Sequence, residues 1–396
     1  MITAGRNYAD ESQVKSATGF GGWPSPSRCA IVHGVRSRIL LGPIAPLVAC
    51  ATMVPQASSS TQGGRIGTGP PTSVSASQPS SNAPIKALQL PGASGPVSVD
   101  YLACDRMRGR VWVPVGNTGS VDVLDIASGT FTRIDGFETE VRQVGGKQRI
   151  MGPSSVSVGQ RFVYVGNRAT SEVCAIDAVT LKLEHCEKLP TAIDGVVYVA
   201  STKEVWVTMP RNQALGILDV SRPDQPRFKQ SLKVPGAPEG YALDESRGLF
   251  YTNLEDKNQT LVIDIRARAT KSTWSAGCGA DGPRGIAVDT ARNLVIVACT
   301  DKMRVLAGEH HGAALETLDT GAGLDNIEYV ESTGLLYAAA ARASRVTVAR
   351  LNGLGQLVTV ATTKTVEGTR NAVVDARGNI YAVDAMNARL LVIPAQ

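Results

Sequence analysis

The sequence has few of the residues that most enzyme centres use. Histidine occurs only four times in 396 residues, and aromatic residues make up 5% of the chain. No C-x-x-C-H, G-x-S-x-G or P-loop pattern is present, which excludes covalent haem attachment, a nucleophile-elbow serine and a phosphate-binding loop. His310 and His311 are adjacent, but no cysteine or third histidine is close to them in the sequence. We therefore expect them in an exposed turn rather than in a metal site.

Charge of one sign and long apolar runs are also scarce. The residues after Cys50 include 35 basic and 33 acidic side chains with no block of lysine or arginine, so we expect no nucleic-acid partner. The apolar stretch 39–49 has eleven residues, which is too few to span a bilayer. Arg36 and Arg38 precede this stretch. The order of basic and apolar residues is typical of a secretory signal.

The apolar stretch ends in the motif LVAC at 47–50, which resembles the bacterial lipobox. The resemblance implies cleavage before Cys50 and transfer of a diacylglyceryl group to its thiol, and several acyl chains on one residue give stable anchoring. We therefore predict a signal peptide over 35–49. A lipidated Cys50 and a disordered linker rich in Ser, Thr, Gly and Pro follow over 50–84.

The residues on either side of the lipobox refine this prediction. Residues 1–34 show no periodicity, and we interpret them as an over-extended start or a disordered segment. Ala51 follows the cysteine, where an Asp would resemble a signal for retention in the inner membrane. We therefore expect an exported protein on the periplasmic face of the outer membrane or at the cell surface.

From residue 85 onwards the chain repeats itself. Segments that begin with Gly-Pro or a related pair start at residues 95, 152, 192, 237, 282, 323 and 368, at intervals of 57, 40, 45, 45, 41 and 45 residues. Short runs of alternating apolar residues follow each start, with turn residues between them, a pattern typical of antiparallel strands. A period near 45 residues indicates four-stranded propeller blades.

The two ends of the repeat region predict how the ring closes. The last unit stops after its third strand, while the segment 85–92 has the pattern of a fourth strand placed before the first unit. Such a strand would complete the last blade and leave no unpaired edge. The sequence therefore predicts an all-β, seven-bladed β-propeller over 85–396, with the last blade closed by the N-terminal strand of the domain.

Several units resemble the YVTN β-propeller repeat. The resemblance rests on FVYVGNRATSEVCAIDAVT at 162–180, LFYTNLEDKNQTLVIDI at 249–265 and NIYAVDAMNARLLVIPA at 379–395, and it extends over nearly all of 85–396. The fifth and sixth units lack the Asn and the final Asp of that pattern. The resemblance implies the fold and an extracytoplasmic setting, and related propellers serve as binding modules, interaction platforms and occasionally enzymes.

The first residues of the inner strands are expected to surround the mouth of the central channel. Aligned, they form one column of Val97, Ser154, Asp194, Glu239, Arg284, Asp325 and Arg370, and a second of Ser98, Ser155, Gly195, Gly240, Gly285, Asn326 and Asn371. The glycines would let a ligand approach the backbone. We predict that a small polar ligand binds at this mouth through Asp194, Glu239, Arg284, Asp325, Asn326, Arg370 and Asn371.

The alternative is a structural plug, in which these charges pair with one another across the channel. Arg284 would then pair with Glu239 or with Asp325. On the same face of the propeller we expect Asn117, Asn167, Arg211, Glu255, Lys302 and Arg342.

The preferred function is a non-catalytic binding or protein-interaction module, monomeric, without a cofactor, and held at the membrane by its lipid alone. The alternative is a metal-dependent lactone hydrolase of the gluconolactonase type, in which Asp194, Glu239 and Asn326 would hold Ca²⁺ or another divalent cation. Its support is a loose similarity of APEGYALDESRGLFY at 237–251 to the first motif of that family. The order of the residue types along the chain differs from that family, which has six blades.

Five cysteines follow Cys50, and an exported domain is expected to pair them. Cys174 and Cys186 fall on the third and fourth strands of one unit, where a cross-strand disulfide is geometrically reasonable. Cys278 and Cys299 belong to one unit, but the sequence does not establish that they pair. Cys104, in a first strand, is expected to be buried and free.

Replacing Cys50 with alanine is expected to release the protein from membranes, because no other residue is predicted to carry an anchor. Separation of cells into membrane and soluble fractions measures the effect, with Cys104→Ala as the control that keeps the lipobox. A Cys50→Ala protein that stays with the membranes as wild type does contradicts the lipid anchor.

Overall fold

The structure is a computed structural model, and it describes residues 84–396. Cys50, the signal peptide, the segment 1–34 and nearly all of the linker lie outside the described residues. Short 3-10 turns occur at Gly116–Thr118, Pro210–Asn212, Glu255–Lys257 and Ala385–Asn387. None of the helices in 84–396 is long and apolar enough to cross a bilayer.

Seven four-stranded antiparallel sheets follow one another as the blades of a ring, which confirms the predicted seven-bladed propeller. Strand β1 (Lys86–Gln89) precedes the blades and belongs to the last of them. The first three blades consist of β2 (Ala103–Asp105), β3 (Arg110–Val115), β4 (Ser120–Asp125) and β5 (Thr130–Ile134) in blade 1; β8 (Pro153–Val158), β9 (Phe162–Asn167), β10 (Glu172–Asp177) and β11 (Leu183–Lys188) in blade 2; and β12 (Val196–Val199), β13 (Glu204–Met209), β14 (Ala214–Asp219) and β15 (Arg227–Lys233) in blade 3.

The remaining blades have the same order of strands from the channel outwards. They consist of β16 (Pro238–Asp244), β17 (Leu249–Leu254), β18 (Gln259–Asp264) and β19 (Ala269–Ser275) in blade 4; β20 (Pro283–Asp289), β21 (Leu294–Cys299), β22 (Lys302–Ala307) and β23 (Ala313–Asp319) in blade 5; β24 (Leu324–Val330), β25 (Leu335–Ala340), β26 (Arg345–Leu351) and β27 (Leu357–Lys364) in blade 6; and β28 (Thr369–Val374), β29 (Ile380–Asp384), β30 (Arg389–Ile393) and β1 in blade 7.

The ring closes as the sequence predicts. β1 pairs antiparallel with β30, from Lys86 opposite Val392 to Gln89 opposite Arg389. The next residue, Leu90, is 1% exposed, and its N–H donates to the Ala388 carbonyl at 2.9 Å. The N-terminal strand therefore supplies both the outer edge and part of the core of blade 7.

Seven apolar clusters make up the core, one at each interface between adjacent blades. Blades 7 and 1 meet through a cluster that includes Leu90, Val113 and Val383. Trp112 and Trp206, both fully buried, fill the interfaces between blades 1 and 2 and between blades 3 and 4. Every blade is packed between two neighbouring blades. Successive side chains along a strand therefore point into one or the other apolar interface, rather than alternately into the core and into water.

Aspartates at the ends of strands fix the turns of the repeat. Asp177, the last residue of β10, accepts hydrogen bonds from the N–H groups of Val179 and Thr180 at 2.8 and 3.0 Å. Asp244, the last residue of β16, accepts the Arg247 N–H at 3.0 Å and pairs with its guanidinium at 2.7 Å. Such local bonds favour a turn over further strand, which explains why Asp recurs with the period of the blades.

Two disulfides connect strands within blades. Cys174 on β10 faces Cys186 on β11 and is joined to it, and Cys278, just before β20, is joined to Cys299 at the end of β21. Cys104 on β2 is free as expected, but it is only partly buried rather than buried. Burial raises the pKa of its thiol to about 12, so it is not a reactive thiolate.

Replacing Leu90 with alanine is expected to lower the free energy of unfolding by about 2–5 kcal/mol, the usual cost of a large-to-small change in a core. Thermal and urea unfolding of the variant measures this cost. The matched control is Leu354→Ala, since Leu354 is 77% exposed. If both leucine variants melt like the wild type, closure by β1 contributes little to the stability of the ring.

Candidate binding site at the channel mouth

Five charged side chains form one connected network across the mouth. Arg168, in the turn after β9, pairs with Asp100 at 2.9 Å and contacts Asp194 just before β12. Arg370 on β28 pairs with the same Asp100 at 3.3 Å and contacts Asp325 on β24. Three of the predicted site residues are thereby brought together, and Asp100 and Arg168, which the sequence analysis missed, connect them.

Arg284 and Glu239 belong to the inner strands of blades 5 and 4 and lie outside this network of ion pairs. Arg284 on β20 contacts Glu255 in the turn after β17, so the pairing with Glu239 or Asp325 expected for a plug is not formed. Glu239 on β16 has no ion pair or hydrogen bond with any residue of 84–396. Burial, together with the charges of Asp100, Glu255 and Asp325, raises the pKa of Glu239 to about 8, with Arg284 acting in the opposite direction.

Blade 1 departs from the predicted alignment of the inner strands. Val97 is 8% exposed and packs in the core between blades 7 and 1, so it does not face the channel. The backbone of Tyr101 instead bonds to blade 2, with its N–H donating to the Ser154 carbonyl at 2.9 Å and its carbonyl accepting from Val156 N–H at 3.1 Å. This bridge carries Asp100 into the mouth and delays the start of β2 to residue 103. The sequence alignment therefore placed Val97 at the mouth, where the structure has Asp100, three residues further along the chain.

The glycines beside the mouth serve packing rather than access for a ligand. A β-carbon at Gly195 would overlap the ring of Tyr241, and one at Gly240 would lie 2.5 Å from the Arg284 carbonyl oxygen. A β-carbon at Gly285 would lie 2.8 Å from the Cα of Asn326. These residues let adjacent inner strands approach each other where the ring is narrowest.

The two predicted asparagines also pack between inner strands. Asn371 is 2% exposed with a φ of 52°, and its Nδ2 donates to the Asp100 carbonyl at 2.6 Å. Its Oδ1 is buried without a partner among the described residues. Asn326 and Asn371 both line a cavity of about 240 Å³ inside the channel. In this cavity Tyr101 and Tyr241 stack at 5.6 Å between ring centres.

A β-hairpin that the sequence analysis missed covers part of the mouth. β6 (Glu140–Val144) and β7 (Lys147–Met151) pair only with each other, through a turn at Gly145 and Gly146 with φ of 58° and 76°. Two successive positive φ values suit the turn type that joins two-residue hairpins, and glycine adopts them freely. The signal was present in the sequence as the first interval of 57 residues, which exceeds the other intervals by about one hairpin.

The hairpin and the mouth enclose a second cavity, which we call the upper cavity. Its volume is about 290 Å³. Arg142 of the hairpin bonds to the Ala169 carbonyl at 2.8 Å and pairs with Glu140 at 2.5 Å, so one strand of the hairpin is held to blade 2. The charged residues lining the upper cavity are Asp100, Arg142, Arg149, Arg168, Asp194, Arg211 and Glu239.

Two of the other residues expected on this face have structural roles. The Oδ1 of Asn117 accepts the Ser98 N–H at 2.9 Å, and the Nδ2 of Asn167 donates to the Glu138 carbonyl at 3.1 Å. Both amides hold loops of the mouth in place. They are therefore committed to backbone partners and are not free for a ligand.

The remaining face residues differ in their surroundings. Lys302 pairs with Asp301 at 3.5 Å. Arg211, in the turn between β13 and β14, lines the upper cavity, whereas Arg342, in the corresponding turn of blade 6, is exposed away from it. Arg211 and Arg342 are thus matched in type and position in the repeat but not in their access to the cavity.

The donors for a metal ion are scattered. Asp194 is engaged by Arg168, and the raised pKa of Glu239 leaves its carboxyl mostly protonated at pH 7. Within 84–396, the only three His, Cys, Asp or Glu side chains that converge are Glu172, Cys174 and Cys186, and the two cysteines form a disulfide. The divalent-cation hypothesis stays a prediction, and the seven blades differ from the six of the gluconolactonase type.

Comparisons with known proteins show the fold alone. No family model matches the chain, and no curated protein matches its sequence. Among solved structures, the chain is similar to one in the mitotic checkpoint complex, with a TM-score of 0.65, 15% identity, and coverage of 81% of this chain and 96% of the other. A chain of hydrazine synthase from Kuenenia stuttgartiensis gives a TM-score of 0.64 at 13% identity, covering 76% and 97%. Virginiamycin B lyase from Staphylococcus aureus gives 0.61 at 11%, covering 78% and 98%.

Replacing Glu239 with glutamine is expected to stabilise the protein at pH 8. Because the pKa of Glu239 is raised from 4.5 to about 8, the native state keeps a proton that the unfolded chain loses, so stability falls as pH rises through this window. Glutamine cannot ionise and removes that loss. The melting temperature of the variant, measured from pH 5 to pH 9, should exceed that of the wild type by at least about 2 °C at pH 8.

The control for this change is Glu367→Gln, which alters an exposed carboxylate. Its melting temperature should follow that of the wild type at every pH. A Glu239→Gln curve parallel to the wild-type curve would contradict the raised pKa of Glu239.

Proposed function

We propose that this protein is a lipid-anchored, extracytoplasmic binding module that holds a small polar ligand in the upper cavity. The observation that carries the proposal is that several charged side chains line one cavity without being used by the fold. The side chains of Glu239, Arg149 and Arg211 line the upper cavity and have no hydrogen bond or ion pair with any residue of 84–396. Cavities with a few convergent polar groups are the usual places for small ligands in proteins.

The ion pairs at the axis are compatible with this proposal. Arg370, Asp325 and Asp100 neutralise one another across blades 6, 7 and 1 and close the centre of the ring. The upper cavity lies between the hairpin and blades 1 to 4, and Ser98, Arg168 and Asp194 are among the residues that line it. The plug and the binding site are therefore two neighbouring parts of the same face.

Export is supported by the cysteines. Two disulfides within the blades favour an oxidising compartment, because cytosolic thiols are kept reduced. The lipobox at 47–50 supplies the anchor in this proposal, and the Ala51 that follows it favours the outer membrane.

A catalytic function has less support. His185 lies on the outer strand β11, and His310 and His311 are exposed in the turn between β22 and β23, so none of the histidines in 84–396 lines the mouth. The similarity to a lyase concerns the fold only. We therefore propose binding without chemistry at this face.

A protein partner is the second candidate at the level of the fold. β-Propellers are common interaction modules, and the similar chains include one from a mitotic checkpoint complex and the protein U3-55K. The small-ligand proposal is preferred because three unpartnered ionisable side chains, those of Glu239, Arg149 and Arg211, converge on one cavity.

Replacing residues 140–151 with two glycines is expected to abolish ligand binding while the blades stay folded, because the hairpin pairs only with itself. The measurement is a thermal-shift screen of small anions, cations and zwitterions on the full chain and on this variant. A ligand that binds only the native state must raise the melting temperature.

The matched control changes the opposite face of the same hairpin. Val141 and Ile150 form a cross-strand pair that is 60% and 43% exposed, and their replacement by serine should leave every ligand-induced shift intact. Absence of a shift for all compounds on the wild type would overturn the small-ligand proposal, as would equal shifts with and without the hairpin.

A further inference from the structure

The charges around the upper cavity fall into a neutralised group and a free group. Arg168 is shared between Asp100 and Asp194, and Arg142 pairs with Glu140. These five side chains are already compensated within the fold. A ligand gains little from them, because each new contact would replace an existing ion pair.

The free group consists of two arginines and one carboxyl. Arg149 on β7 and Arg211 between β13 and β14 are exposed side chains whose guanidinium groups have no partner among the residues of 84–396. They belong to the hairpin and to an outer turn, and so form the outer rim of the cavity. Glu239 stands at the inner end, on the strand that faces the channel. The two ends of the upper cavity therefore carry unpartnered groups of opposite kind, with guanidinium groups at the rim and, at the inner end, a carboxyl that can lose its proton to pair with a cation.

The surroundings of Glu239 explain why its end favours a cation. The groups facing it are the carboxylates of Asp100, Glu255 and Asp325 and the guanidinium of Arg284, which contacts Glu255. All three carboxylates already have an arginine partner, so a positive group placed here would pair chiefly with Glu239 and favour its ionised form. An anion at this end would face Glu239 and the carboxylates around it, which is unfavourable in a partly dry site.

The outer rim has the opposite preference. Guanidinium groups bind carboxylates through two parallel hydrogen bonds, and two arginines from different elements can approach one carboxylate from two sides. A simple cation would leave both arginines without a partner, and their guanidinium groups would repel it. A ligand with one charge of either sign therefore satisfies only one end of the upper cavity.

We propose, on the basis of the binding function proposed above, that the upper cavity takes a small zwitterion of the amino-acid class. Its ammonium group lies against Glu239, and its carboxylate lies between Arg149 and Arg211. The cavity volume of about 290 Å³ is at the lower end of the range for ligand sites, so the ligand is a small one.

The test compares zwitterions with ligands that carry only one of the two charges. Glycine, 4-aminobutyrate and 6-aminohexanoate vary the distance between ammonium and carboxylate, and hexanoate and hexylammonium carry each charge alone. Calorimetric titration of the full chain should show that one zwitterion binds at least about tenfold more tightly than both singly charged compounds, since each lost charged contact weakens binding by roughly that factor.

Substitutions at each end of the upper cavity test which charged group of the ligand binds there. Glu239→Gln should weaken the zwitterion about tenfold or more without weakening hexanoate, and Arg149→Ala with Arg211→Ala should weaken the zwitterion and hexanoate alike. Arg342→Ala is the matched control, an arginine in the corresponding turn of blade 6 that does not line the cavity, and it should change neither affinity.

The outcomes separate this inference from the proposed function. Hexanoate binding as tightly as every zwitterion, with no effect of Glu239→Gln, would overturn the zwitterion and leave the small-ligand function standing. Equal loss of zwitterion binding in Arg342→Ala and in the double arginine variant would also overturn it. If no compound of any charge class binds the wild type, the proposed function fails, and the zwitterion fails with it.

Discussion

The pairing of β1 with β30 is the contact on which the rest of the structure depends. It joins strands almost three hundred residues apart, as the hydrogen bond from Gln89 to the Ala388 carbonyl at 3.0 Å shows. Without it, blade 7 would end in an unpaired edge, and the cluster between blades 7 and 1 would lose Leu90. The mouth needs the same closure, because Arg370 of blade 7 reaches Asp100 only when blades 7 and 1 are neighbours.

Closure also explains why the mouth is crowded with charge. Seven inner strands begin around one narrow axis, and in blade 1 Asp100 rather than Val97 contributes the charged side chain. Glycine at Gly195, Gly240 and Gly285 lets these strands approach, and the ionisable residues beside the glycines are then pressed together. Arginines pair with most of the carboxylates, but Glu239 has no such partner, and its burial together with the neighbouring carboxylates raises its pKa to about 8.

The sequence analysis predicted the features that follow from the repeat of about 45 residues, and it missed the contacts that depart from the repeat. Blade number, strand order and closure follow from spacings near 45 residues and from the incomplete last unit, because alternation and turn residues are local properties. The inward position of Asp194, Asp325 and Arg370 follows from the same alignment. The partners of these residues do not, since Arg284 pairs with Glu255 from an adjacent turn, and Asp100 enters the mouth through a bridge between Tyr101 and blade 2. Such contacts join residues whose separation has no relation to the repeat.

The hairpin β6–β7 is a departure from the period that forms part of the proposed binding site. A ring of similar blades places equivalent positions of the repeat around its axis, so the repeat alone tends to give a symmetric mouth. One inserted hairpin breaks that symmetry at the junction of blades 1 and 2 and adds Arg149 outside the ring of inner strands. The insertion converts an open face into a cavity with a cationic rim and a carboxyl at its inner end. Removal of the hairpin would shorten the 57-residue interval to about the length of the others. The mouth would then lack the rim that the hairpin adds to the proposed site.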